Sequence, residues 1–190
     1  MADTDRLVWV DLEMTGLDPA QHVIVELACL VTDGDLNPLD EGVSFVVAAS
    51  DEQLALMDDF VVNMHTKSGL LPEIRHGLEL TVVEQLALDY VRQHVTDARK
   101  APLAGSSVHV DRTFLAAYMP EFLDFLHYRI VDVSSVKELT RRWFPTQYAA
   151  APSKAGNHRA LADIHDSIKE LAYYRASAFA TSDAPTNTAS

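Results

Sequence analysis

Asp11 and Glu13 stand two residues apart in the stretch 7–17, LVWVDLEMTGL, directly behind an apolar run, Leu7, Val8, Trp9 and Val10, that reads as a buried strand. Side chains alternate along a strand, so both acids face the same way, roughly 6.6 Å apart. Two bare carboxylates there repel each other, and the apolar lead-in makes their desolvation costly. A hard divalent cation such as Mg²⁺ between them removes both difficulties. Asp-x-Glu alone also occurs at solvated strand ends, so its meaning depends on what the fold brings to it. Two later segments carry matching chemistry. Asp111 lies in the first turn of a helical stretch, 108–119, and His158 begins the strong helical pattern HRALADIHDSIKELAYYR, with Asp163 about a turn and a half further on.

The elements that must position these residues follow from periodicity and turn chemistry. Residues 24–33 and 43–47 read as second and third strands, separated by the turn-prone Asp33-Gly34-Asp35 and Asn37-Pro38, so the chain opens with an antiparallel meander. Helices are expected over 51–57 and 58–67, the second ending at Ser68-Gly69. His65, in its last turn, reads as polar surface or as a partner for the helix C-terminus. The clearest helix is 81–95, with a Thr81–Glu84 capping box and an apolar face of Val83, Leu86, Ala87, Tyr90 and Val91. Residues 102–106 read as a strand, Pro120 ends the helix that carries Asp111, 122–127 as a helical turn and 129–133 as a further strand. Ser135 and Glu138 suggest a second capping box, opening a helix through Trp143. With Arg129 and the hydroxyls of Ser134 and Ser135 near that terminus, it could receive a phosphate; plain capping beside a surface arginine fits the same residues. The stretch 145–157 reads as a long loop delivering the chain to His158, and 181–190, without apolar residues other than alanine, as a disordered tail.

Composition narrows the class of protein. A chain of 190 residues with 48% hydrophobic and 23% charged content fits one globular domain, here 1–180, with a full core. Cys29 is the single cysteine, set in an apolar run, so it reads as an inert buried thiol in a reducing, cytoplasmic compartment. The N-terminus is unlike a signal peptide, and no apolar stretch approaches membrane-spanning length. A net charge of −13 argues against a generic binder of long nucleic acid, whose affinity comes mostly from neutralised phosphates. A short oligonucleotide remains compatible, because it brings few phosphates and bound cations offset the acids of a site.

In chain order the candidates form D-x-E, a central aspartate and H-x₄-D. In this the chain resembles the DEDDh branch of 3′→5′ exonucleases, and within it the oligoribonuclease family. The likeness is carried by WVDLEMTGL, HTKSGL, GSSVHVDRTFL, HYRIVDVSSVKELTRRW and HRALADIHDSIKEL, and it covers nearly everything from residue 6 to 179. It implies an α/β ribonuclease H-like fold, a mixed five-stranded sheet with its first three strands antiparallel and helices around it. The activity implied is hydrolysis of very short oligoribonucleotides, dinucleotides especially, to 5′-mononucleotides with two Mg²⁺ or Mn²⁺ ions. Asp11 would bridge the ions, Glu13 and Asp163 would complete the first, and Asp111 would hold the second. His158, with an ordinary pKa of roughly 6.5, would be the general base. By the same resemblance Leu17 and His65 wedge against the bases, Ser107, Arg129, Ser134 and Ser135 cap the 5′-phosphate, and Tyr128 is offered across a homodimer. Ala162 departs from the family where many relatives carry another aspartate, but the H-x₄-D spacing keeps Asp163 as ligand. A DEDDh exonuclease acting on longer RNA or DNA would keep the same set. A non-catalytic nucleotide-binding module would be expected to have lost an acid or the histidine, and none is missing.

Overall fold

In the computed structural model, which describes residues 5–153 and 158–179, the opening apolar run becomes β1 (Leu7–Met14), the central strand of a five-stranded sheet. On one side lies β2 (Ile24–Thr32), buried at every position, and beyond it β3 (Val43–Val46); on the other lie β4 (Pro102–Gly105) and β5 (His127–Asp132). The order is β3-β2-β1-β4-β5, antiparallel among the first three strands and parallel from β1 to β4 to β5. Antiparallel neighbours need only turns, and the Asp33 carboxylate builds the one after β2 by accepting the backbone N–H groups of Asp35 and Asn37. Parallel neighbours need crossovers. Helices α1 (Asp51–Leu54), α2 (Asp59–Lys67), α3 (Leu71–Ile74) and α4 (Leu80–His94) lead from β3 to β4, and α5 (His109–Tyr118) and α6 (Pro120–Phe125) lead from β4 to β5. After β5 come α7 (Val133–Trp143), α8 (Pro145–Ala149) and α9 (Ala160–Ser177).

Alternation along β1 divides the core into two layers. Val8, Val10 and Leu12 pack in one cluster with Val83 and Val91 of α4, Phe114 of α5 and Phe122 of α6. Trp9 points the other way, into a cluster with Ala28, Leu30, Ala104 and the α9 residues Ile164 and Ile168, and its indole donates to Thr32 Oγ1 at 3.0 Å. Asp11 and Glu13 continue the Trp9 register, so the strand presents them on the α9 side. Cys29 is buried as expected, and burial pushes its thiol pKa up.

Both expected capping boxes give way to other partners. The α4 N-cap is Glu79, with no side-chain bond, and Glu84 is buried because its Oε1 accepts the N–H groups of Glu121 and Phe122 at the start of α6. At α7 the cap is Asp132, whose carboxylate accepts the Ser134 N–H; Ser135 lies inside the first turn, and Glu138 pairs with Arg141 and Arg142. Leu86 is exposed rather than part of the buried face. The expected loop 145–157 contains α8, and the last helix begins at Ala160, two residues after His158. The stretch 181–190 lies outside the described residues. Among the described residues no helix is long and apolar enough to cross a membrane.

Candidate active site

The parallel strands β1 and β4 open a crevice beyond their C-terminal ends, where open α/β sheets place their sites. β4 pairs with β1 only at Val8–Leu103 and Trp9–Ala104 before turning away at Gly105. A Cβ at Gly105 would sit 2.8 Å from the Val10 carbonyl oxygen, so glycine is what allows this close departure. Beyond that point the Leu12 N–H meets no strand and donates instead to Asp111 Oδ1 at 3.0 Å. A bond spanning 99 residues of sequence thus sets the central aspartate against the backbone between Asp11 and Glu13.

Glu13 is 7% exposed, and α9 with the residues that lead into it brings Asp163 and His158 to it. One oxygen each of Glu13 and Asp163 and one ring nitrogen of His158 all lie within 4.8 Å of one another. Burial, then the charges of Asp163, Glu26 and Asp111, push the Glu13 carboxyl from 4.5 up to about 8, against the opposing charge of Arg159. Burial likewise raises Asp111 to about 7, moderated by the Leu12 amide. Carboxylates forced together at such cost are a hard-oxygen donor set, and a divalent ion fits them.

Beside this cluster lies an apolar cavity of about 650 Å³, lined by Leu17, His22, Leu56, Phe60, Val61 and Met64 among others. Leu17 and Phe60 are 75% and 73% exposed at its walls. The loop carrying Leu17 is held from several sides. Thr15 and Val23 exchange hydrogen bonds at 3.0 Å, Asp18 N–H donates to His22 Nδ1, and the Tyr118 hydroxyl lies within hydrogen-bonding distance of the Pro19 and His22 carbonyls. His65 is fully buried rather than part of the helix surface. Its Nε2 donates to the Met14 carbonyl at 2.9 Å, its Nδ1 lies 3.8 Å from Glu13, and burial holds its pKa below 6.5. The imidazole therefore supports the end of β1 from beneath the cavity.

At the other end of the crevice Ser107, in a left-handed backbone conformation with φ 54°, places its hydroxyl 3.0 Å from that of Ser134. Asp132 Oδ1 joins the two by accepting both backbone N–H groups at 2.9 Å. Ser135 is exposed one residue further into α7. Arg129 and Tyr128 lie earlier on the edge strand β5. Arg129 lines a separate cleft with Arg99, Lys100 and His127, and Tyr128 is 70% exposed.

Residues 8–171 match the exonuclease family RNase_T. The chain is 56% identical over 187 residues to an oligoribonuclease of Corynebacterium glutamicum, covering 98% of this chain and 85% of that one. To the oligoribonuclease of Streptomyces griseus it is 55% identical over 181 residues, 95% and 90% of the two chains. The chain belongs to the oligoribonuclease family. Membership makes it a metal-dependent exoribonuclease, a phosphodiester hydrolase. Among solved structures, exonuclease I of Methylocaldum szegediense superposes with a TM-score of 0.66 at 21% identity, over 90% of this chain and 40% of that one. A zinc-bound complex of E. coli exonuclease I with single-stranded DNA gives 0.69 at 15% identity, over 90% and 40%. These likenesses establish the expected ribonuclease H-like fold.

Within this oligoribonuclease-family site the structure shows residues that the motifs do not. Phe60 stands off the buried face of α2 just after two acids, and a large aromatic ring in such a place is the signal that points to a binding wall. Asp132, a favourable N-cap type directly before V-S-S, is the residue that sets Ser107 and Ser134 together.

Proposed function

We propose that the enzyme works from the 3′ end of very short oligoribonucleotides, dinucleotides especially, and releases 5′-mononucleotides. The observations that carry this reading are a hydrolytic cluster whose Glu13 lines the apolar cavity walled by Leu17 and Phe60, and a hydroxyl pair, Ser107 and Ser134, at the C-terminal ends of the neighbouring strands β4 and β5. A dinucleotide offers two bases, one scissile phosphate and a 5′ end, and these three parts match the three features.

Asp11, Glu13, Asp111 and Asp163 would hold two Mg²⁺ or Mn²⁺ ions, which neutralise charge on the attacking and leaving oxygens. A ring nitrogen of His158 accepts a proton from the attacking water. Leu17 wedges between the bases, Phe60 offers a ring for stacking, and His65 supports the wedge through Met14. Ser107, Ser134 and Ser135 receive the 5′-phosphate through their hydroxyls at the start of α7 and leave no path for a longer chain. Tyr128 and Arg129 complete that cap in a homodimer, an arrangement supported by the exposed Tyr128 and Ile130 on the edge strand and Leu139 and Trp143 on α7. A cytoplasmic setting agrees with the buried lone thiol.

The test is a time course with 5′-phosphorylated RNAs of two, three, five and seven nucleotides, with and without Mg²⁺, resolving every product. Metal-dependent cleavage with the dinucleotide much the fastest supports the reading, and equal trimming of all lengths removes the cap. His158→Ala tests the base: turnover within twofold of the parent enzyme at neutral pH would overturn that role.

A further inference from the structure

Glu26 is another carboxylate beside the hydrolytic cluster. It faces Glu13 directly in the β1–β2 register and is 1% exposed. Like charges opposite each other on a sheet face destabilise it, and a buried carboxylate without a cation is costly. Here every direction is filled. Arg159 Nε donates to the two Glu26 oxygens at 3.1 and 3.3 Å, Arg159 Nη2 lies 3.0 Å from Oε1, Ala160 N–H donates to Oε2 at 3.2 Å, and the Ser44 hydroxyl donates to Oε1 at 3.0 Å. The same guanidinium reaches outward to both oxygens of Glu73 on α3, at 3.4 and 3.1 Å.

Arg159 also stands at the hinge of the site. It follows His158 and is the N-cap of α9, and its carbonyl accepts the Asp163 N–H at 3.1 Å. His158 itself has φ 48°, a conformation that a residue other than glycine keeps only where its neighbours hold it. We propose that Arg159, clamped between Glu26 and Glu73, is a positioning residue that sets His158 and Asp163 against Glu13 and keeps Glu26 out of the divalent-ion cluster. The proposal rests on the reading of Glu13, Asp163 and His158 as the hydrolytic set. A lysine does not replace this arginine, since a single ammonium lacks the planar fork that engages two carboxylates at once.

Two readouts test it. In dinucleotide hydrolysis Arg159→Lys lowers kcat about ten- to a hundredfold and Arg159→Gln lowers it further, both with KM within threefold of the parent. Glu73→Gln, at a half-exposed position that the fold tolerates, lowers kcat about threefold or more at unchanged KM. The second readout is Mn²⁺ titrated into the substrate-free protein and followed by electron paramagnetic resonance. Arg159→Gln binds Mn²⁺ at least about fivefold more tightly because Glu26 is freed, and Arg159→Gln with Glu26→Gln restores the parent affinity while kcat stays low. If Arg159→Gln does not fold, Arg159→Lys and Glu73→Gln carry the test. The proposal is overturned if those two keep kcat within twofold while His158→Ala is inactive, or if a folded Arg159→Gln binds Mn²⁺ as the parent does. An active His158→Ala would instead remove the reading beneath it.

Discussion

Replacing Glu13 with glutamine should stabilise the metal-free protein while destroying its activity. Burial and three neighbouring acids hold the Glu13 carboxyl at about 8 instead of 4.5. The folded state therefore holds this proton more tightly than the unfolded state. Below pH 4.5 both states are protonated and the position costs nothing. As pH rises from 4.5 to about 8 the unfolded chain releases the proton first, and stability falls by up to about 1.4 kcal/mol per pH unit. Fully developed, the penalty is at most about 5 kcal/mol, and coupling among the acids makes about 2–3 kcal/mol the working figure. For a chain of this length that corresponds to roughly 5–10 °C in melting temperature. The assay is thermal unfolding of the parent and Glu13→Gln in chelator from pH 5 to 8.5. The variant should melt close to the parent at pH 5 and clearly above it at pH 8.5, and Mg²⁺ should raise the parent far more than the variant. A melting difference that does not change with pH, or a variant less stable at pH 8.5, would refute the reasoning.

Asp111→Asn keeps an oxygen for the Leu12 amide but loses a buried charge, so turnover should fall at least about a hundredfold while the circular dichroism spectrum stays near the parent's and the melting temperature of the metal-free protein is no lower. Phe60→Ala removes an exposed ring from the cavity wall, so KM for a dinucleotide should rise about tenfold, as the loss of one base stack would give, with little change in kcat or stability. Gly16→Ala places a Cβ 2.5 Å from His22 Nε2, so the His22 ring must move and give up the bond that its Nδ1 accepts from Asp18 N–H; a KM increase and a loss of about 1 kcal/mol in stability are expected, from steady-state kinetics and denaturant unfolding.

The four acids of the proposed site are legible as candidates because each sits where a local rule operates. Alternation on a strand puts Asp11 and Glu13 on one face, and Asp111 and Asp163 each fall in the first turn of a helix. The antiparallel pairing of the first three strands is legible for a similar reason, since the connections after β1 and β2 are too short to hold a crossover; the placing of β4 and β5 beyond β1 is settled only by the fold. Both capping boxes were misread because the pattern rule sees only near neighbours. Glu84 is held by the start of α6, 37 residues away, and Glu138 by two arginines one turn on, and neither competition shows in a four-residue window. The substrate-facing residues suffer more, because a cavity wall such as Phe60 is defined only once α2 lies across the end of β1.

Arg159 is the instructive intermediate. An arginine at a helix N-terminus opposes the helix dipole, so its position is unfavourable on local grounds. Such a misfit requires carboxylates to offset it, and sequence alone does not say which of the chain's 28 acids supply them. The sheet register answers that. It sets Glu26 across from Glu13, where an unneutralised carboxylate would repel Glu13 and compete as an extra ligand for the divalent ions, so the guanidinium that is misplaced for the helix is well placed for the cluster. The local rule is broken at the point where the chain presents His158 and enters the helix that carries Asp163, and the physical reason is that the electrostatics of the site outweigh those of the helix end.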